Sequence, residues 1–237
     1  MKSEKWRVER KIIPLSTLQT PLSRKGFTLA EVLITLGIIG VVAALTMPAL
    51  INSTQKREFQ AGLKKQYSVM SQALKKLEYD TGEPVRVEDY GVGGSLKAAL
   101  MPYFAVVKNC GTNSCVPNST ASDVYKTFSS NPATTNRFDD GQFITSDGTF
   151  YMFENPNSAA MLLISVDVNG YKKKPNRWGY DVFTFQLMPD GKILPSGAVG
   201  TYYADQLNYC SKTSTGGYNG AGCTYRALTD PNYWKEL

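Results

Sequence analysis

The chain has 237 residues, of which 42% are hydrophobic and 19% charged, and it contains no histidine. Without histidine, Ser-His-Asp and Cys-His catalysis and the His-bearing zinc sites are excluded. The formal net charge of +6 points at first to a basic surface, but residues 1–26 hold seven Lys/Arg against Glu4 and Glu9, leaving 19 basic against 18 acidic residues beyond them. A nearly neutral remainder exerts no general attraction on nucleic acid.

The leading basic residues are Lys2, Lys5, Arg7, Arg10, Lys11, Arg24 and Lys25, and this charge holds the segment on the cytoplasmic side of a membrane. From Val32 to Gln55 there are 24 residues without a charged side chain, enough helix at about 1.5 Å per residue to cross a bilayer core of roughly 30 Å. One acid, Glu31, stands just before the run. A secretory signal peptide has a shorter apolar stretch with its small-residue cleavage site after it. Here Arg24-Lys25-Gly26 precedes the apolar run, so a cut at that glycine leaves the hydrophobic helix on the mature protein.

The stretch Lys25-Gly26-Phe27-Thr28-Leu29-Ala30-Glu31, followed by the long apolar run, resembles the type III signal sequence of type IV pilins and of the pseudopilins of type II secretion systems. The resemblance implies that a prepilin peptidase cuts between Gly26 and Phe27 and that Phe27 is then N-methylated. The family's acid, five residues after the cut, falls on Glu31, where it would pair with the α-amino group of a neighbouring subunit during assembly. The family's helix-kinking proline falls on Pro48, expected to bend the helix or let a short segment unwind. The implied partners are other pilin or pseudopilin subunits, the prepilin peptidase, an inner-membrane assembly platform and membrane lipid. The implied location is the bacterial cytoplasmic membrane, single-pass with the head extracytoplasmic, and then an extracellular or periplasmic fibre. The alternative is an unprocessed, single-pass anchor carrying an extracytoplasmic binding protein or enzyme. Glu31 counts against it, since an unpaired acid in a membrane helix costs about 2.5–3.5 kcal/mol, and less near an end.

The expected organisation is a leader over 1–26, a transmembrane and assembly helix over 27–51, an amphipathic stalk over 52–82 and a globular head over 83–237. In the stalk, Phe59, Leu63, Tyr67, Met70, Leu74 and Leu77 recur at helical spacing. Lys56, Arg57, Lys64, Lys65, Lys75 and Lys76 fall mostly off that stripe. The pattern predicts one helix from Phe27 to about Asp80, ending at Thr81-Gly82 with Pro84 behind. The stripe suits packing against the head, with a solvent-facing coiled coil as the competing arrangement. Gly37 and Gly40 permit close helix approach, though Gly-x-x-Gly is a weak signal.

In the head, a short helix is expected around Ser95 to Phe104. Gln142–Thr145 and Thr149–Phe153 read as a hairpin around Asp147-Gly148. Ala160–Val168 is long and apolar enough for a central strand, and Asp181–Met188 with Lys192–Leu194 forms a second hairpin. The fold class is therefore α+β, a long N-terminal helix packed on an antiparallel sheet of about four strands. The resemblance implies the same pilin-like lollipop. Past Gly197 the chain reads as irregular. Tyr202, Tyr203, Tyr218, Tyr225 and Tyr233 there are either an exposed contact surface or partly buried covers of a small sheet.

Cys110, Cys115, Cys210 and Cys223 allow three pairings, and proximity favours Cys110–Cys115 and Cys210–Cys223. Neither spacing is Cys-x-x-Cys, so disulfides are preferred to zinc, in keeping with an oxidising compartment. The segment Asp167 to Asp181 groups Asp167, Asn169 and Asp181 with turn-forming glycines, the oxygen-rich composition of a calcium loop. Some pseudopilins hold calcium in a loop of the head. Against this, the segment departs from the EF-hand pattern, Lys172-Lys173-Lys174 would repel a cation, and Asx turns at strand ends account for the same residues. Otherwise no cofactor is indicated. The lysine triplet with Arg177 and Trp178 offers a small patch for nucleic acid, with a solvated charged loop as the plainer reading. There is no Gly-x-Ser-x-Gly elbow and no Gly-x-x-x-x-Gly-Lys loop, so the sequence points to a structural subunit rather than an enzyme.

Overall fold

The structure, a computed structural model, describes residues 26–134, 139–155 and 161–237. The leader through Lys25, and Ala160 at the expected start of the central strand, lie outside these residues. The chain divides into two units, the first ending at Ala49 and the second covering Leu50–Leu237. The first helix, α1 (Leu29–Thr81), contributes to both.

In the first unit α1 is apolar all round, and Leu33, Ile38, Ile39, Val41 and Leu45 are exposed. No part of its most apolar window is buried. Of the two outcomes expected at Pro48, a bend or a short unwound segment, the unwound segment is absent, since the helical span shows no break there. The helix continues through it, losing only the one backbone bond that proline cannot donate.

In the second unit α1 becomes amphipathic. Phe59, Leu63, Met70, Ala73, Leu74 and Leu77 are buried in one core with Phe143, Tyr151, Ile164 and Phe185 of the sheet, and Gln66 is buried on the same helix. Tyr67 stacks on Phe185 with ring centroids 5.5 Å apart. The stripe is thus spent on the head rather than on a coiled coil. The helix ends where Gly82 adopts φ 75° and donates its N–H to the Glu78 carbonyl at 2.9 Å, a left-handed exit that glycine makes without steric cost.

After the short helix α2 (Ser95–Leu100) and a 3₁₀ turn at Met101–Tyr103, the sheet is an antiparallel meander of six strands in sequential order. They are β1 (Val106–Asn109), β2 (Gly141–Thr145), β3 (Phe150–Glu154), β4 (Leu162–Asp167), β5 (Val182–Leu187) and β6 (Ile193–Pro195). Phe143 pairs with Tyr151 and Ile164 with Phe185, so alternate residues of β2–β5 line the face that receives α1. The opposite face presents Phe150, Met152, Leu163 and Val182 to a second core with Tyr125, Trp178, Tyr203 and Ala221. Burial on both faces explains why β3, β4 and β5 read as continuous rather than alternating apolar runs.

Six strands replace the four expected. β1 was missed because it is a four-residue edge strand, mostly exposed, with a register irregularity between Val106 and Lys108. β6, expected at Lys192–Leu194, is found one residue further on at Ile193–Pro195, paired with β5 as the second hairpin. The helix α3 (Asn118–Val124) likewise lacked a periodic signal. The tail beyond Gly197 is not irregular throughout. It contains α4 (Gln206–Tyr209), a 3₁₀ turn at Ala221–Cys223, α5 (Thr224–Thr229) and α6 (Tyr233–Glu236), each too short to show a helical period. Its tyrosines divide: Tyr203 and Tyr233 are fully buried, while Tyr202 and Tyr225 are exposed. Disulfides join Cys110 to Cys115 and Cys210 to Cys223.

Candidate functional site

Two places concentrate the residues singled out by the sequence, one in each unit. At the start of α1, the Thr28 N–H and hydroxyl both donate to Glu31 Oε2 at 2.8 Å, and the Glu31 N–H donates to Thr28 Oγ1 at 3.2 Å. This is a reciprocal capping box, which satisfies helix donors that have no carbonyl partner. Its signature, Thr-x-x-Glu ahead of an apolar run, is present as Thr28-Leu29-Ala30-Glu31 and was not used in reading the sequence. Glu31 therefore has a partner within its own chain. Phe27 is exposed, and nothing lies within 4 Å of where a Gly26 side chain would begin.

The second place is the junction of β4 and β5. Asp167 closes β4 and is paired with Val182, and the Val168 N–H donates to the Asp181 carbonyl at 2.9 Å. The strand pairing thereby brings together two aspartates that are fourteen positions apart, and both are fully buried. Asp167 Oδ1 accepts from the N–H groups of Gly170 at 2.8 Å and Asn169 at 3.3 Å, and its Oδ2 from the Tyr125 hydroxyl at 3.0 Å. Asp181 Oδ1 accepts from the Arg177 N–H at 2.6 Å and Oδ2 from the Asn176 N–H at 2.8 Å. Burial, and after it the charge of Asp181, pushes the Asp167 carboxyl well above the usual range. Burial also raises Asp181, against the downward pull of its backbone donors and of the Asn169 side chain.

The structure thus brings Asp167, Asn169 and Asp181 together and adds Asn176, whose N–H donates to Asp181. Asn176 adopts φ 50°, a conformation asparagine tolerates better than most residues. Lys172, Lys173 and Lys174 are exposed. Arg177 donates its guanidinium to the Phe128 carbonyl and lies 4.0 Å from the Tyr180 ring centroid. The donor set around the aspartates is all oxygen, which fits a hard cation such as calcium and not a thiolate- or imidazole-preferring metal.

A third acidic group, Asp139, Asp140 and Glu154, places its carboxylates within 4.8 Å of one another. Asp139 already accepts from Asn118 Nδ2 at 2.6 Å and Asp140 from the Asn155 N–H at 2.6 Å.

Residues 22–47 match the family described as the prokaryotic N-terminal methylation motif. That segment is similar to the prepilin-type signal of type IV pilins and pseudopilins. No curated protein and no solved structure matches the chain. The motif and the apolar first part of α1 together indicate membrane anchoring.

Proposed function

We propose that the chain is a minor pilin or pseudopilin, a structural subunit of a type IV pilus or of a type II secretion pseudopilus. The observation that carries this reading is the methylation motif over residues 22–47. The prepilin peptidase cuts after Gly26, Phe27 becomes the methylated amino terminus, and the first part of α1 packs against other subunits. In support, the apolar side chains of that part, such as Leu33, Ile39 and Leu45, are exposed in the single chain. Lipid before assembly and neighbouring helices after it would both remove them from water.

In the fibre, the Phe27 amino group of one subunit pairs with Glu31 of another, away from water. There, losing one partner leaves a costly buried charge. The capping box gives Glu31 a second role, and two substitutions separate the roles. Glu31→Gln keeps an acceptor for Thr28 but removes the charge, whereas Glu31→Ala removes both. Both variants are expected to be cleaved and exported normally and to yield no fibres. Normal fibres from Glu31→Gln would reduce Glu31 to a helix cap and overturn the ion pair. Sequencing the amino terminus of the native protein is expected to give methylated Phe27. An intact leader would favour the unprocessed anchor instead.

A further inference from the structure

We infer that the outward face of α1 in the second unit docks the acidic segment that follows α1 in a second copy of this chain. From Phe59 to Leu77 the helix contains no acidic residue, and residues 56–76 hold six Lys/Arg against Glu58 alone. Arg57, Lys64 and Lys75 are 7 and 11 residues apart, close to whole helical turns, so they form one row of roughly 27 Å. By the same periodicity the row falls on the side of α1 away from the buried Phe59, Leu63, Met70 and Leu77. Arg57, Lys64, Lys75 and Lys76 are exposed. Among the described residues no carboxylate comes within 4.0 Å of any of them, whereas Lys65 is matched by Asp147.

A face of one sign is by itself only a solvated surface, and the occupant is identified by the next stretch of chain. Residues 78–89 hold Glu78, Asp80, Glu83, Glu88 and Asp89 against the single base Arg86. Val85 and Val87 are buried in the core that also receives α1. They fix the backbone of this segment while Glu83, Glu88 and Asp89 stay exposed. Arg86 pairs only with Glu88, at 3.4 Å. The two surfaces carry opposite charge in similar amount, and among the described residues no ion pair joins them within one copy.

A second copy displaced along the α1 axis sets its basic row against the acidic segment of the first. Complementary potentials steer that encounter, fix its register and disfavour like-charged approach. Tyr79, 87% exposed, stands about six turns beyond Arg57 on the same side of α1. It supplies an aromatic anchor where the two surfaces join. The contact is heterologous, so a docked pair still offers one unused row and one unused segment, and the array extends. This contact rests on the reading as a fibre subunit and adds to it a meeting of heads that uses neither Phe27 nor Glu31.

The test uses the full chain in non-ionic detergent, with self-association followed by analytical ultracentrifugation at low and high salt. The unaltered chain is expected to associate, and less so at high salt, which screens exposed charges. Lys64→Glu with Lys75→Glu reverses the row, and Glu83→Lys with Glu88→Lys reverses the segment. Each double variant is expected to lower the association constant about tenfold or more, because like charges then face each other. An equimolar mixture of the two variants is expected to recover association, which misfolded chains could not do. An unaltered chain that stays monomeric overturns the proposal, as does association indifferent to both reversals or a mixture no better than its components. Loss with the row reversal alone would set a different surface against the row and overturn the pairing. Fibres that form normally from both reversed chains overturn this contact and leave the fibre reading intact. An uncleaved native chain that still shows the charge-swap recovery refutes the fibre reading and leaves this contact intact.

Discussion

Gln66 on α1 and Tyr151 on β3 are bound through a single buried amide: the tyrosine hydroxyl donates to Gln66 Oε1, and Gln66 Nε2 donates onward to Thr149 Oγ1 at 2.8 Å. A polar residue in the middle of the α1 stripe is thus satisfied by β3 and by the β2–β3 turn, where its Nε2 also donates to Asp147 Oδ2 at 3.1 Å. The amide restricts how far α1 can slide along the sheet without stranding polar groups, a restriction that apolar contacts alone impose only weakly.

Gln66→Ala is expected to destabilise the chain by about 1–3 kcal/mol, because it leaves the Tyr151 hydroxyl buried without its acceptor. The paired change Gln66→Leu with Tyr151→Phe should cost less than the sum of the two single changes, since both polar partners are removed together. Urea unfolding midpoints of the four chains in detergent check this. A fully additive pair would show that the two groups do not interact.

Asp147, in the β2–β3 turn, is predicted to confer acid sensitivity. Burial pushes its carboxyl up, but hydrogen bonds from Lys65 and Thr145, together with those from Thr149, outweigh it and hold the carboxyl well below the usual range. Lys65 Nζ lies 2.7 Å from Asp147 Oδ2. For a depressed carboxyl the stabilisation is fully present above the unfolded value of about 3.9 and is lost as pH falls toward the folded value. The unfolding midpoint of Asp147→Asn should therefore fall less between neutral pH and about pH 3 than that of the unaltered chain. Parallel pH curves for the two chains would refute the assignment.

Glycine substitutions in the head and in the apolar part of α1 should behave oppositely. A Cβ at Gly197 would sit 1.9 Å from the Gly222 carbonyl oxygen, on backbone with φ 101°. Gly197→Ala is therefore expected to cost more than the roughly 1–2 kcal/mol that left-handed backbone alone imposes on a side chain. At Gly37 and Gly40 a Cβ meets nothing within 4 Å. Gly37→Ala and Gly40→Ala should leave the thermal unfolding of the chain unchanged, so any loss of fibres from these variants reports packing between subunits.

Much of the fold was legible because its signals are local. The charge-free run from Val32 to Gln55 and the basic pair with glycine ahead of it need no tertiary context. Nor does the change to a stripe at Phe59, since helix periodicity and hydropathy are written along the chain. The turns at Asp147-Gly148 and Thr81-Gly82 were legible for the same reason. β1 and the four short helices after residue 110 were not, because four to seven residues are too few to establish a period, and β1 buries too little to select apolar side chains.

The sequence alone determined how this chain meets a membrane: charge first, then an acid, then an uninterrupted apolar helix, each acting through its own transfer energy whatever the rest of the molecule does. Only the tertiary structure decided that Asp167 and Asp181 are both buried where β4 meets β5, that the amide oxygens of Asn169 and Asn176 are buried without a partner, and that Tyr203 and Tyr233 lie inside. Those outcomes depend on strand register and on the layer packed over the second face of the sheet. Register places residues distant in the chain against one another, and burial then makes every unpaired charge and every orphan oxygen costly.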